Sequence, residues 1–506
     1  MPNRGYSATY RILTASIMAM LAGPAFANED SADRIKQLEA MMQQMQQQRA
    51  EQDKQMQVMA EELKAMQQQM AQGKEADLKE RGKSKGTPVL ANFKDGIVFE
   101  DGSGNWQLAI NGRVQADYRE FDPEAHAADT FSLRRARLGG TATFYKDYVV
   151  RVEGEYSGSS TSLTYGYFDI NKWKQAKIRM GQFKPFYGLE RSMSTNFTDF
   201  QERSMADSLL GSTYDRGIMV HGAPVPGLYY SLAYINGTGT VDENNAREDG
   251  KDLTARVSGN IAEFAGWKDA VVHVGGWWGQ GDEGSRRLAS FIPTGQSEGR
   301  GASFFSTACT QTNGAGNCGA ALSNGFADNV ERTRGGGELA LAYGPVKFQG
   351  EYIRTEFEGP SYDRDIDAWY ASTVWNVTGE PFAAMYKDGI FGRLKPKNNF
   401  GANGWGAVQL GLRYSKFDAS DFKTSNTNGS GVLLNNPSST TDGLLVATNE
   451  ADAWTLGANW ILTPNTRLIM NYVHTEFDTP ITVRVNARND TFDSEDALTL
   501  RAQFDF

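Results

Sequence analysis

The sequence predicts an all-β fold: a transmembrane antiparallel β-barrel preceded by an N-terminal α-helical coiled-coil segment. Three observations carry this expectation. Apolar and polar side chains alternate with period two from about residue 90 to the end, an export signal opens the chain, and aromatic residues recur at strand ends between connections of very unequal length. A soluble β-sandwich would show the alternation but not the other two features with it.

The N-terminus comes first. Arg4 and Arg11 supply positive charge, Ile12 to Ala22 is mostly apolar, and Ala25-Phe26-Ala27 offers an A-x-A cleavage site. Residues 1–27 are therefore expected to be a signal peptide, and the mature chain to begin near Asn28. In the next segment, 28–72, Ile35, Leu38, Met42, Met45, Met56, Met59, Leu63, Met66 and Met70 fall on steps of three and four, interrupted only by Arg49 and Gln52. That spacing predicts a coiled coil of about five heptads, roughly 60 Å long, and hence a homo-oligomer. Methionine-rich seams do not specify the number of strands. Residues 73–88, charged and glycine-punctuated, read as a linker, and residues 89–506 as the barrel.

Within the barrel region Leu108, Ile110, Val114, Ala116 and Tyr118 alternate with Gln107, Asn111, Arg113, Gln115, Asp117 and Arg119. Val408, Leu410, Leu412 and Tyr414 do the same with Gln409 and Arg413, as do Trp454, Leu456, Ala458 and Trp460 with Thr455 and Asn459. Such runs match the roughly 9–11 residues a barrel strand needs to cross a bilayer. The mean hydropathy of −0.50 excludes a helical membrane bundle. Trp106, Tyr118, Tyr148, Trp454 and Tyr472 stand at strand ends as an interfacial girdle would. "LTPN" (462–465) is a minimal turn, whereas 281–331 and 418–449 are long and polar, so short turns should mark one rim and long loops the other. The last strand, "ALTLRAQFDF", must close the barrel against an early one, because an open edge cannot exist in hydrocarbon.

The two cysteines, Cys309 and Cys318, flank a Gly/Asn-rich stretch and are expected to staple a small loop as a disulfide. No metal site, cofactor or nucleic-acid partner is expected. There is no Gly-x-Ser-x-Gly elbow, and His126, His221, His273 and His474 are scattered, so an enzyme is not expected either.

Several stretches resemble the phosphate-selective porins O and P: "FSLRRARLGGTATFYKDY" (131–148), "GQFKPFYGLERSMSTNFTDFQERS" (181–204), "INGTG" (235–239), "KDLTARV" (251–257), "FGRLKPK" (391–397) and "WILTPNTRLIMNYVHTEF" (460–477). The resemblance implies a 16-stranded barrel in the outer membrane, assembled as a trimer, with a loop after the third hairpin folded into each pore. It also implies passive uptake of small anions such as phosphate. The final aromatic resembles the C-terminal signature of outer-membrane barrels.

Inward parity supplies the candidate pore-lining, anion-binding groups. Arg113, Arg135, Arg137, Lys177, Arg179 and Arg256 fall on the lumen side of their strands, and Arg134 on the outward parity, which points to the rim or to a bulge. The segment "KPFYGLERSMSTNFTDFQERS" loses period two, matches the family's constriction loop, and adds Lys184, Arg191 and Arg203. Rings of arginine and lysine replace an anion's hydration by charge-assisted hydrogen bonds. The competing reading is a general porin whose arginines pair with wall carboxylates such as Asp117, Glu153, Glu155 and Asp505, the coiled coil acting as a periplasmic spacer or tether. Charge favours that alternative, since residues 88–506 carry 39 basic against 50 acidic side chains. Net charge does not fix a pore's local field, however.

Overall fold

In the computed structural model, residues 89–506 are described apart from breaks at 94–95, 125–126, 238, 241–250, 284–294, 306–329, 360–361, 402, 423–442, 447 and 486–487; Gln43, Lys54 and Glu61 are described as isolated helical positions. Those three positions apart, the expected signal peptide, coiled coil and linker lie outside the described residues, as does the Cys309–Cys318 pairing.

The strands follow in chain order. A short hairpin, β1 (Val89–Phe93) and β2 (Ile97–Asp101), precedes β3 (Trp106–Asp122), β4 (Thr130–Phe144), β5 (Tyr148–Glu155), β6 (Ser162–Ile170) and β7 (Lys177–Phe183). Next are β8 (Asp215–Val225), β9 (Leu228–Ile235), β10 (Asp252–Asn260) and β11 (Ala270–Glu283), then two short pieces, β12 (Gly295–Gln296) and β13 (Ser303–Phe305). The second half holds β14 (Val330–Tyr343), β15 (Val346–Gly359), β16 (Tyr362–Asn376), the small hairpin β17 (Tyr386–Lys387) and β18 (Ile390–Phe391), β19 (Ala407–Asp418), β20 (Gly443–Val446), β21 (Glu450–Thr463), β22 (Thr466–Val485) and β23 (Arg488–Asp505).

Among the described residues, sixteen of these strands (β3–β11, β14–β16, β19 and β21–β23) pair antiparallel, each with its neighbour. β23 closes on β3, with Arg501 opposite Asp117 and Phe504 opposite Val114. The ring leaves no bare edge, as a hydrocarbon surround demands. Beyond the end of β23, β2 takes over as the partner of β3 from Gln107 to Ile110. Phe506 sits at that handover. Its amide and carbonyl exchange hydrogen bonds with Gly112, at 3.0 and 2.9 Å. A side chain at Gly112 would meet the Phe506 ring, since a Cβ there lies 2.8 Å from it. Gly112→Val should therefore cost about 1–3 kcal/mol of overpacking at the closure seam. A lower fraction of heat-resistant folded barrel in detergent is the expected readout; wild-type yield would refute it.

The two faces separate as the alternation predicts. Val114, Leu138, Val152, Met180, Leu232 and Leu456 point outward and are exposed, while Arg113, Gln115, Asp117, Arg413, Arg467 and Arg501 point inward and are buried. The lumen is not simply full of water, however. An inward apolar cluster built on Phe304, Phe305, Phe357, Phe417 and Phe477 occupies it, with aromatic centroids 5.3–5.6 Å apart around Phe304 and Phe305. The expected rim asymmetry holds only in part. Residues 377–406, between β16 and β19, emerge on the rim of short turns, yet they are long and fold inward. Phe382 and Phe391 from this insertion pack with Leu189, Met193 and Phe200 of the loop after β7. Two segments entering from opposite rims thus meet inside the barrel.

Candidate functional site

The loop joining β7 to β8, residues 184–214, is fastened to the wall before it can narrow anything. Its one-turn helix, Leu189–Ser192, begins with the Leu189 and Glu190 amides donating to the Glu351 carboxylate on β15 at 2.8 and 2.6 Å. Gly188, at φ 60°, makes this possible. A Cβ there would collide with a Glu351 carboxylate oxygen.

Arg413, on β19, ties three segments together. It donates to Glu298 from the β12–β13 segment at 3.0 and 2.5 Å, to Glu190 at 3.3 Å, and to the Glu202 carbonyl at 3.1 Å. Its guanidinium also lies 4.5 Å over the Phe200 ring. Burial pushes the Glu190 carboxyl up to about 7, against the pull of Arg413. The folded chain therefore holds a proton that the unfolded chain, near 4.5, has released. That contribution is full below about pH 4.5 and is lost as pH rises through 7. Current noise from a loosening loop should accordingly increase between pH 5 and 8 and flatten in Glu190→Gln. A variant with the wild-type pH dependence would argue against this group.

The predicted basic residues divide into three kinds. Most of the wall arginines are paired: Arg137 with Glu155 at 2.6 Å and the Tyr214 hydroxyl at 2.6 Å, Arg179 with both Asp169 oxygens at 2.8 Å, and Arg256 with Glu338 at 2.8 and 3.1 Å. Arg113 donates to Thr195 at 2.8 Å, with Glu153 4.0 Å away. The loop cations are braces. Arg191 grips Asp207 at 2.5 and 3.0 Å and donates to the Gly211 carbonyl, Arg203 donates to the Arg191 and Met193 carbonyls, and Lys184 donates to the Ser192 and Met193 carbonyls at 3.0 and 2.8 Å. Burial, with Arg203 and Arg191 nearby, pushes the Lys184 amine well below its usual range. The third kind, Arg135 and Lys177, has no carboxylate partner among the described residues; Arg135 donates to Gln115 at 2.9 Å.

The densest positive cluster surrounds Glu202 at the loop's end. Arg134 reaches it at 2.8 and 3.1 Å, Arg501 at 2.7 Å and Arg119 at 3.0 Å, and Arg300 stands 4.0 Å away. Arg501 and Arg119 also share Asp117, each at 2.8 Å. With Arg135 beside them, five guanidinium groups face the Glu202 and Asp117 carboxylates here among the described residues. Burial opposes the Glu202 charge, yet Arg134, Arg501 and Arg135 hold its carboxyl well below the usual range. Arg134 and Arg300 keep 26% and 38% of their side-chain surface exposed, which makes them the accessible members.

Strict parity would place Arg134 outward, and of the rim and the bulge the structure has the bulge. The pairing of β3 with β4 runs Gln115 to Arg135 and then Ala116 to Leu133, a bulge that leaves Arg134 unpaired and turns it inward. Arg300, flanked by glycines in a long polar connection, carried no signal in the sequence.

A sequence model of the phosphate-selective porin O and P family matches residues 108–506. The chain belongs to that family. It is an outer-membrane porin, and its fold and family are those of a channel. Porin O of Pseudomonas aeruginosa is 27% identical over 443 residues, covering 83% of this porin and 93% of its own length. Among solved structures, an anion-selective porin from Comamonas acidovorans is 12% identical, with a TM-score of 0.46, over 79% of this porin and all of that chain. The trimer form of OmpT from Vibrio cholerae is 12% identical, with a TM-score of 0.45, over 79% of this porin and 99% of that chain.

Proposed function

We propose that this porin gives passive diffusion to small anions such as phosphate, and that its filter is the arginine cluster around Glu202. The observation that carries the reading is the local excess, among the described residues, of five guanidinium groups over the Glu202 and Asp117 carboxylates, in a barrel whose overall charge is negative. Planar guanidinium forks offer paired donors to an oxyanion, and several partly neutralised sites in series bind it weakly enough to let it leave. The wall residues Arg113, Arg135, Arg137, Lys177, Arg179 and Arg256 would extend a positive track, while Lys184, Arg191 and Arg203 would hold the constriction loop in shape. Membership of the phosphate-selective porin family supports the same direction.

Purified protein in a planar bilayer tests the idea. A KCl gradient should give a chloride-leaning reversal potential, and added phosphate should partly block the current. A cation-leaning reversal without block would remove the anion filter and leave the porin intact.

The pairing of Arg137, Arg179 and Arg256 with wall carboxylates favours a second reading, a weakly selective porin for small hydrophilic solutes. In either case the segment 28–72 would join three copies as a periplasmic coiled coil. Deleting it should leave conduction intact and reduce the trimer fraction or the attachment to the cell envelope.

A further inference from the structure

A cavity of about 210 Å³ lies on the short-turn side of the lumen, between the constriction loop and the inserted segment 377–406. Its floor is one row of cross-strand neighbours: Lys177 of β7 opposite His221 of β8, His221 opposite Ser231 of β9, and Ser231 opposite Arg256 of β10. Lys174, from the turn before β7, joins Lys177 on the lining. Neither lysine has a carboxylate partner among the described residues. Arg256 is matched by Glu338, and among the described residues Asp388 is the one carboxylate on the lining, with Glu263 behind it on the Tyr229 hydroxyl at 3.1 Å; Lys174 and Lys177 stand opposite these.

The rest of the lining is of a different kind. Phe186 enters from the constriction loop, Tyr229 from β9, and Ile390 from the insertion. His221 meets Phe186 edge to face at 5.7 Å, and its Nε2 is buried without a hydrogen-bond partner. Bare phosphate would gain nothing from ring faces, whereas an ion with an apolar body would.

We propose that this cavity is an exit-side binding station for organic anions, taking a carboxylate or phosphate head at Lys174 and Lys177 and a ring-sized apolar body against Phe186 and Tyr229. The proposal rests on the anion-porin reading and extends it from inorganic to organic solutes. An ion leaving the Glu202 cluster would meet a second, softer site, which suits stepwise passage.

The test uses the full-length protein in a planar bilayer in KCl, with benzoate and formate as probes of equal charge and different bodies. Benzoate should interrupt the current at concentrations about tenfold lower than formate. Lys174→Ala with Lys177→Ala should raise the half-blocking concentration of benzoate by about tenfold, and Phe186→Ala with Tyr229→Ala should raise it for benzoate but not for formate. Benzoate blocking no better than formate, or block unchanged in the lysine variant, overturns the station. A chloride-leaning reversal potential alongside that failure would leave the anion filter standing; a cation-leaning one would remove the filter itself.

Discussion

Arg134→Ala combined with Arg300→Ala is expected to raise the half-blocking phosphate concentration on the order of a hundredfold and to bring the KCl reversal potential close to zero. Each substitution removes a guanidinium that keeps part of its surface in the pore. A hydrogen bond to a charged group contributes roughly 1.5–3 kcal/mol, so losing two at the lower figure gives about that factor. The loop should stay docked, because Glu202 keeps Arg119 and Arg501 at 3.0 and 2.7 Å. Arg134→Lys with Arg300→Lys should fall between the wild type and the alanine variant, the charge being kept and the fork lost. Phosphate titration in bilayers decides the matter, and a half-blocking concentration within about twofold of wild type would relocate the filter.

Arg413→Met should produce the largest change in stability. The substitution leaves Glu298 without its cation in an interior where both side chains are 1% exposed, and it takes one donor from Glu190, which keeps those of Ser204. Removing one partner of such a buried pair costs about 3–5 kcal/mol, mostly through the stranded charge. Ser415 and Thr455, which also donate to Glu298, would soften that loss. Arg354 provides the contrast. It gathers Glu356, Asp365 and Asp367 but is 40% exposed, so Arg354→Ala should cost only about 0–1 kcal/mol. The temperature at which the folded barrel loses its compact migration in detergent measures both. Equal shifts for the two variants would show that Arg413 does not fasten the three segments. Current noise should grow in Arg413→Met alone, since only that variant loosens the constriction loop.

Strand placement was legible because the alternation is enforced twice, by lipid on one side and polar lumen on the other. Parity alone put Arg113, Asp117, Arg119, Arg413 and Arg501 inside, where the structure has them. For Arg134 parity left the rim and a bulge open, and it did not count among the pore residues, because one unpaired residue in β4 reverses the face and only the strand pairing shows where. The roles of Arg191 and Arg203 were hidden for another reason. A loop arginine beside a pore and a loop arginine clamped on Asp207 read alike until the turn that joins them is seen. The inward course of 377–406 and of 295–305 depends on contacts between residues far apart in the chain, such as Phe391 with Leu189 and Glu298 with Arg413. Local patterning carries no trace of these.

The irregular residue in β4 also gives the protein an inexpensive way to change what it admits. Moving that extra residue one position along the strand would send Arg134 toward the acyl chains or return it to the water, with no change in overall charge. Close relatives could thus diverge in solute preference by sliding a kink along a strand while their residue tallies stay the same.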